Sequence, residues 1–71
     1  MNKEIFGGFI ADLRRVAGMT QKQVADRLHV TDRAVSKWER GLSYPDVTLM
    51  EPLAVVLGVG VEELLTCRRK E

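Results

Sequence analysis

A chain of 71 residues is one small domain, which buries only about 60% of its unfolded surface and has no room for the separate substrate domain of an enzyme. The net charge of +1 is unevenly spread: residues 1–41 hold eight Lys/Arg against five Asp/Glu, net +3, while residues 42–71 hold three against five, net −2. The single cysteine, Cys67, excludes an intrachain disulfide and suits a reducing compartment; no apolar run approaches membrane-spanning length and the first residues do not resemble a signal peptide, so a cytoplasmic location is expected.

Phe6, Phe9, Ile10, Leu13 and Val16 recur at helical spacing and predict a first helix to about Ala17, closed by Gly18 in the left-handed region. Gly7 and Gly8 each weaken that helix by roughly 1 kcal/mol relative to Ala. Either its first turn frays or another helix packs closely there. Thr20 and Gln23 match a capping box, with Met19 and Val24 at the positions of a hydrophobic staple. Val24, Ala25 and Leu28 face inward in this second helix, and the small Ala25 lets a neighbour approach. Only His29 and Val30 separate Leu28 from the next cap, Thr31, where Val30 and Val35 repeat the staple. Two helices joined so tightly must turn sharply, as in a helix-turn-helix.

Unrolled at roughly 100° per residue, the third helix places Ala34, Val35 and Trp38 on one arc and Asp32, Arg33, Ser36, Lys37 and Arg40 on the other. The first arc belongs to the core, Trp38 included. The second carries residue types that read base edges and hold phosphates in a major groove, although any solvated helix also has a charged outer face. Gly41 caps this helix, and LSYP reads as a loop in which Pro45 prevents continuation. Asp46 is the cap of a fourth helix with Leu49, Met50, Leu53, Ala54 and Leu57 on one face. Pro52 interrupts it and predicts a kink or a later start. Gly58 ends it. Val61, Leu64 and Leu65 form a short fifth helix with Glu62 and Glu63 in its first turn. GVG at 58–60 is no phosphate loop, lacking the third glycine and a preceding strand. Residues 1–66 are thus expected to be the domain and residues 67–71 a polar tail.

TQKQVADRLHVTDRAVSKWERG, followed by PD and by LAVVLGVGVEELL, resembles the helix-turn-helix family of xenobiotic-response-element regulators and phage repressor and Cro proteins, over about Ile5 to Leu65. The resemblance implies an all-α, compact five-helix bundle of the lambda-repressor-like kind, binding double-stranded DNA. It implies that Gln21 and the N-terminus of its helix grip a phosphate, where free N–H groups and the helix dipole favour an anion. Thr31 does likewise on the next helix, and Lys22, Arg40 and Ser43 complete the expected phosphate contacts. Arg33 and Lys37 are the leading candidates for base contact, with Ser36 beside them; Asp32 either accepts from cytosine N4 or caps its own helix and orients Arg33, capping being favoured. Arg14 is expected to pair with Glu39, against the alternative of an ordinary surface arginine. His29 stands where the family mostly has Gly, implying a left-handed backbone. Gly60 stands where it usually has Ser or Thr, a weaker cap.

One recognition helix covers only about 4 to 5 base pairs, and the family's answer is a homodimer on a palindrome with half-sites roughly 34 Å apart. Val59, Val61, Leu64 and Leu65, with the loop after Gly41, are the candidate dimer surface, or else plain core. A single His, a single Cys and no Gly-rich phosphate loop leave no catalytic constellation, no metal site and no cofactor to expect. The function expected is a sequence-specific transcriptional regulator that represses by promoter occlusion; the competitors are an antitoxin that also holds a toxin and a protein-interaction adaptor with little affinity for DNA.

Overall fold

The computed structural model describes residues 2–69, so Met1, Lys70 and Glu71, the last two from the expected tail, lie outside the described residues. Five helices follow one another: α1 (Lys3–Val16), α2 (Gln21–Leu28), α3 (Asp32–Glu39), α4 (Val47–Leu57) and α5 (Val61–Thr66). They enclose one core within 29 × 22 × 21 Å.

Each start has a chemical reason. Asn2 Oδ1 accepts from the N–H groups of Glu4 and Ile5 at 2.8 and 3.1 Å, so α1 begins earlier than its first core residue, and with a capped rather than a loose first turn. The Thr20 hydroxyl accepts from Gln23 N–H at 3.0 Å while Gln23 Oε1 accepts from Thr20 N–H at 2.8 Å, completing the capping box of α2. Thr31 caps α3 by accepting from Ala34 N–H, and Asp46 caps α4 by accepting from Thr48 N–H. At Gly60 the reciprocal half survives without a side-chain cap: Glu63 Oε1 accepts from Gly60 N–H at 3.0 Å.

Each end closes alike. A residue with positive φ follows or terminates every helix, Gly18, His29, Gly41, Gly58 and Cys67 in turn. The next N–H then reaches back five residues to a carbonyl of the last turn: Met19 to Arg14, Val30 to Ala25, Leu42 to Lys37, Val59 to Ala54 and Arg68 to Glu63. This satisfies carbonyls that would otherwise lack partners at the helix end. His29, at φ 58°, and Cys67, at φ 55°, do so without the freedom of glycine.

α4 starts directly after Asp46 and runs through Pro52 to Leu57, so the later start does not occur. Pro52 and Thr48 are both exposed, and solvent can serve the Thr48 carbonyl that Pro52 deprives of an N–H.

The core joins Phe6, Ile10 and Leu13 of α1 to Val24, Ala25 and Leu28 of α2, Val35 and Trp38 of α3, Met50, Leu53, Ala54 and Leu57 of α4, and Leu64 of α5. Phe6 meets Tyr44 edge to face, ring centroids 5.5 Å apart, which holds the loop after α3 against α1. The two glycines of α1 separate cleanly. A Cβ on Gly7 would overlap the Trp38 carbonyl and stand 2.7 Å from that of Glu39, whereas one on Gly8 would meet nothing. Gly7 therefore lets the backbone of α1 lie against the C-terminal end of α3.

Candidate nucleic-acid interface

Ala25, only 1% exposed, brings α2 and α3 together at their crossing, and the outward face of α3 continues into the N-terminus of α2. Gln21, Asp32, Arg33, Ser36 and Arg40 line a shallow polar cavity of about 410 Å³ across this junction. Five of the expected DNA contacts, from two helices, thus share one surface.

Thr31 and Asp32 divide the roles at the start of α3. The Thr31 hydroxyl does the capping, so the reading of Asp32 as its own cap is corrected: Asp32 is the first helical residue, where its charge favours the positive end of the helix. Arg33 and Lys37 are one turn apart and exposed, and neither enters an ion pair among the described residues. Both are available to an anion or a base edge. Arg40 is partly committed, its Nε donating to Ser36 Oγ at 3.2 Å; the Ser36 hydroxyl proton stays available to a ligand. Lys22 is 3.7 Å from Asp26 in an exposed pair, a weak restraint. Ser43 lies half-buried in the loop after α3.

Behind the cavity stands a polar network. Arg14 grips Glu39 with two prongs, Nε to Oε2 at 2.6 Å and Nη2 to Oε1 at 3.0 Å, and its Nη1 donates to the Met19 carbonyl at 2.8 Å. Both side chains are largely shielded, 13% and 7% exposed. The Glu39 hydrogen bond raises the Arg14 pKa above its ordinary value and outweighs burial, which acts the other way. Gln21 Nε2 donates to the same Glu39 Oε1 at 2.9 Å, a bond that sequence reasoning missed. The two residues are 18 apart in the chain, and only the helix crossing brings them together.

The expected dimer surface needs one correction. Leu64 is 0% exposed and belongs wholly to the core, because α5 turns this side toward α1 and α4. Val59 and Val61 are half-buried against that core; Leu65 is 49% exposed. An apolar concavity of about 410 Å³ instead joins Leu65 to Tyr44, Pro45, Val47 and Met50. Val47, 80% exposed, is the member least legible in sequence, because it follows the Asp46 cap off the inward face of α4.

Among the described residues no group of His, Cys, Asp and Glu could hold a metal ion, and no helix is long and apolar enough to cross a membrane. Burial pushes the Cys67 thiol pKa up.

A tight pair of crossed helices carrying an exposed polar face defines a helix-turn-helix domain. The helix-turn-helix family pattern matches residues 10–64, and the chain belongs to this family, in its xenobiotic-response-element branch. It is 34% identical over 86% of its length to the HTH-type transcriptional activator BcrR of Enterococcus faecalis, of which it spans 30%. It is 38% identical over 90% of its length to the HTH-type transcriptional regulator y4dJ of Sinorhizobium fredii, spanning 83% of that protein. Among solved structures, the DNA-binding domain of the P22 C2 repressor superposes with a TM-score of 0.82 at 26% identity, covering 92% of this chain and 86% of that one. The chain is accordingly a helix-turn-helix domain of the family that includes these transcriptional regulators.

Proposed function

We propose that this chain is a cytoplasmic repressor that binds a palindromic operator as a homodimer, with α3 in the major groove. The observation that carries the reading is the pair Arg33 and Lys37, unpaired and exposed on the outward face of α3 beside a cavity built jointly with the start of α2. Arg33 is suited to guanine O6 and N7, and Lys37, Ser36 and Asp32 complete the base-facing set. Gln21, Thr31, Lys22, Arg40 and Ser43 hold phosphates on either side. Such contacts fix register without carrying sequence information. Residues 1–66 act as the binding unit. A second copy covers Tyr44, Val47 and Leu65, with the edges of Val59 and Val61; occupation of the operator excludes polymerase.

The exposed apolar concavity also favours a second reading, in which a different protein, such as a toxin, sits there. Selection of bound duplexes from a random library, at two salt concentrations, decides between these readings. Enrichment of an inverted repeat, weakened by salt and lost in Arg33→Ala/Lys37→Ala, is expected of the homodimeric regulator. Enrichment of an unrepeated half-site, with the chain monomeric by sedimentation, would favour the heterologous partner. Absence of salt-sensitive binding would turn the charged face toward a protein. Arg33→Ala alone should change the preference at one position of each half-site, at a cost of about 1 to 3 kcal/mol, while Gln21→Ala weakens all duplexes alike.

A further inference from the structure

We infer that Glu39 is a positioning residue for DNA binding: it holds the Gln21 side chain from behind and presents that amide's second N–H to a DNA phosphate. The inference rests on the reading of Gln21 as a phosphate contact and adds what orients it.

The orientation follows from the chemistry of the partners. An ionised carboxylate only accepts hydrogen bonds, so Gln21 must turn its NH₂ group, and not its carbonyl, toward Glu39 Oε1 at 2.9 Å. An amide NH₂ has two donors. One is spent on Glu39; the other remains for the cavity that Gln21 lines with Asp32, Arg33, Ser36 and Arg40. A phosphate requires a donor, which is what this arrangement supplies.

Glu39 would be a poor neighbour for a phosphate if its charge were uncompensated. Arg14 compensates it through two prongs, and a third Arg14 bond to the Met19 carbonyl ties down the turn immediately before the Thr20 cap. The network therefore fixes the end of α1, the start of α2 and the end of α3 relative to one another. Gln21 meets DNA with its rotamer already chosen, and the cost of ordering it does not fall on binding.

A charge argument and a positioning argument predict opposite signs for Glu39→Gln. Removing a carboxylate near DNA and freeing the Arg14 charge should tighten binding if electrostatics alone matters. The substituted amide has one carbonyl oxygen to share between Arg14 and Gln21, so the orientation of Gln21 is lost, and binding should weaken about three- to tenfold. The experiment is a double-mutant cycle on the duplex enriched by the selection above, with wild type, Gln21→Ala, Glu39→Gln and the double variant, each checked for folding by thermal melting. Glu39→Gln is expected to weaken binding in the wild-type background and to have no weakening effect in Gln21→Ala. Equal weakening in both backgrounds, or tighter binding from Glu39→Gln alone, overturns the inference while leaving the DNA reading intact. A wild-type chain that enriches no duplex removes both.

Should Glu39→Gln fail to fold, nitrogen relaxation of the wild-type Gln21 side chain gives the same decision. The expected result is an NH₂ group as ordered as the backbone before DNA is added, with its shifts moving further on the duplex. A freely reorienting amide overturns the inference.

Discussion

The α1–α3 half and the α4–α5 half share one core and one way of ending helices, yet they use their surfaces oppositely. In the first, Arg14, Glu39 and Gln21 form a shielded polar network, and the three ion pairs among the described residues all fall there. In the second, α4 is apolar on most sides, with Val47 and Val55 exposed; Ile5 and Val16 of α1 are exposed as well, but Val47 shares an apolar concavity with Leu65 of α5. Directional bonds hold a face at fixed geometry, which reading base edges requires. A contiguous apolar patch specifies no such geometry and suits docking of a copy or partner. The comparison therefore rests on the concavity that joins Leu65 to Tyr44, Pro45, Val47 and Met50, and with the function proposed above it would give recognition to the first half and association to the second.

The sharpest way to break this division is within α5, where neighbouring leucines have opposite fates. Leu64→Ala removes a fully buried side chain and should cost about 3 to 5 kcal/mol, a large share of the stability of so small a domain, measured by urea unfolding. Leu65→Ala should change monomer stability little while weakening self-association in sedimentation. Similar stability losses from both would show that α5 has no free face, and the association half of the comparison would fail.

The joint between the halves of the recognition unit is tested at Gly7 and Gly8. Gly7→Ala pushes a methyl against the Trp38 and Glu39 carbonyls, where backbone cannot yield cheaply, and should cost about 1 to 3 kcal/mol. Because it displaces the end of α3, it should also weaken DNA binding. Gly8→Ala meets open space and should gain roughly 0.5 to 1 kcal/mol with binding unchanged. Equal effects from the two substitutions would remove the close contact between α1 and α3.

What sequence could and could not show follows the same physics. Thr20, Gln23, Thr31 and Asp46 act within three residues of themselves, so local pattern sufficed to place three helix starts. Gly18, Gly41 and Gly58 marked ends because glycine is the residue that left-handed backbone favours. Cys67 takes the same conformation with no such mark, and its neighbours read only as a tail. Asn2 lies before the first apolar repeat, where helical periodicity gives no sign of a start, yet it caps α1. Gly7 and Gly8 are identical as letters and differ only in what packs on them. Leu64 and Leu65 sit on a helix of 6 residues, too short for periodicity to separate inside from edge. On the candidate surface, the arc of α3 was legible from helical period alone and the Arg14–Glu39 pairing from family resemblance. The Gln21 bond to Glu39 required the crossing angle, which no local pattern encodes.

The smallest expected effect compares the halves where they are most alike. His29 ends α2 and Cys67 ends α5, both with left-handed backbone and both followed by the same backward N–H bond. A side chain in that region costs roughly 1 to 2 kcal/mol, while glycine adds entropy to the unfolded chain that offsets part of the relief. His29→Gly should therefore stabilise the whole domain by about 0.5 to 1 kcal/mol, because the turn it occupies joins α2 to α3 and cannot open without separating them. Cys67→Gly relieves the same strain but also removes a half-buried side chain packed against the core, so its net gain should be smaller. Thermal melting of the two variants, with hydrogen exchange at Val30 and Arg68, separates global from local change. A larger gain at Cys67 than at His29 would mean that the closure of α5, rather than the turn between α2 and α3, limits the stability of the fold.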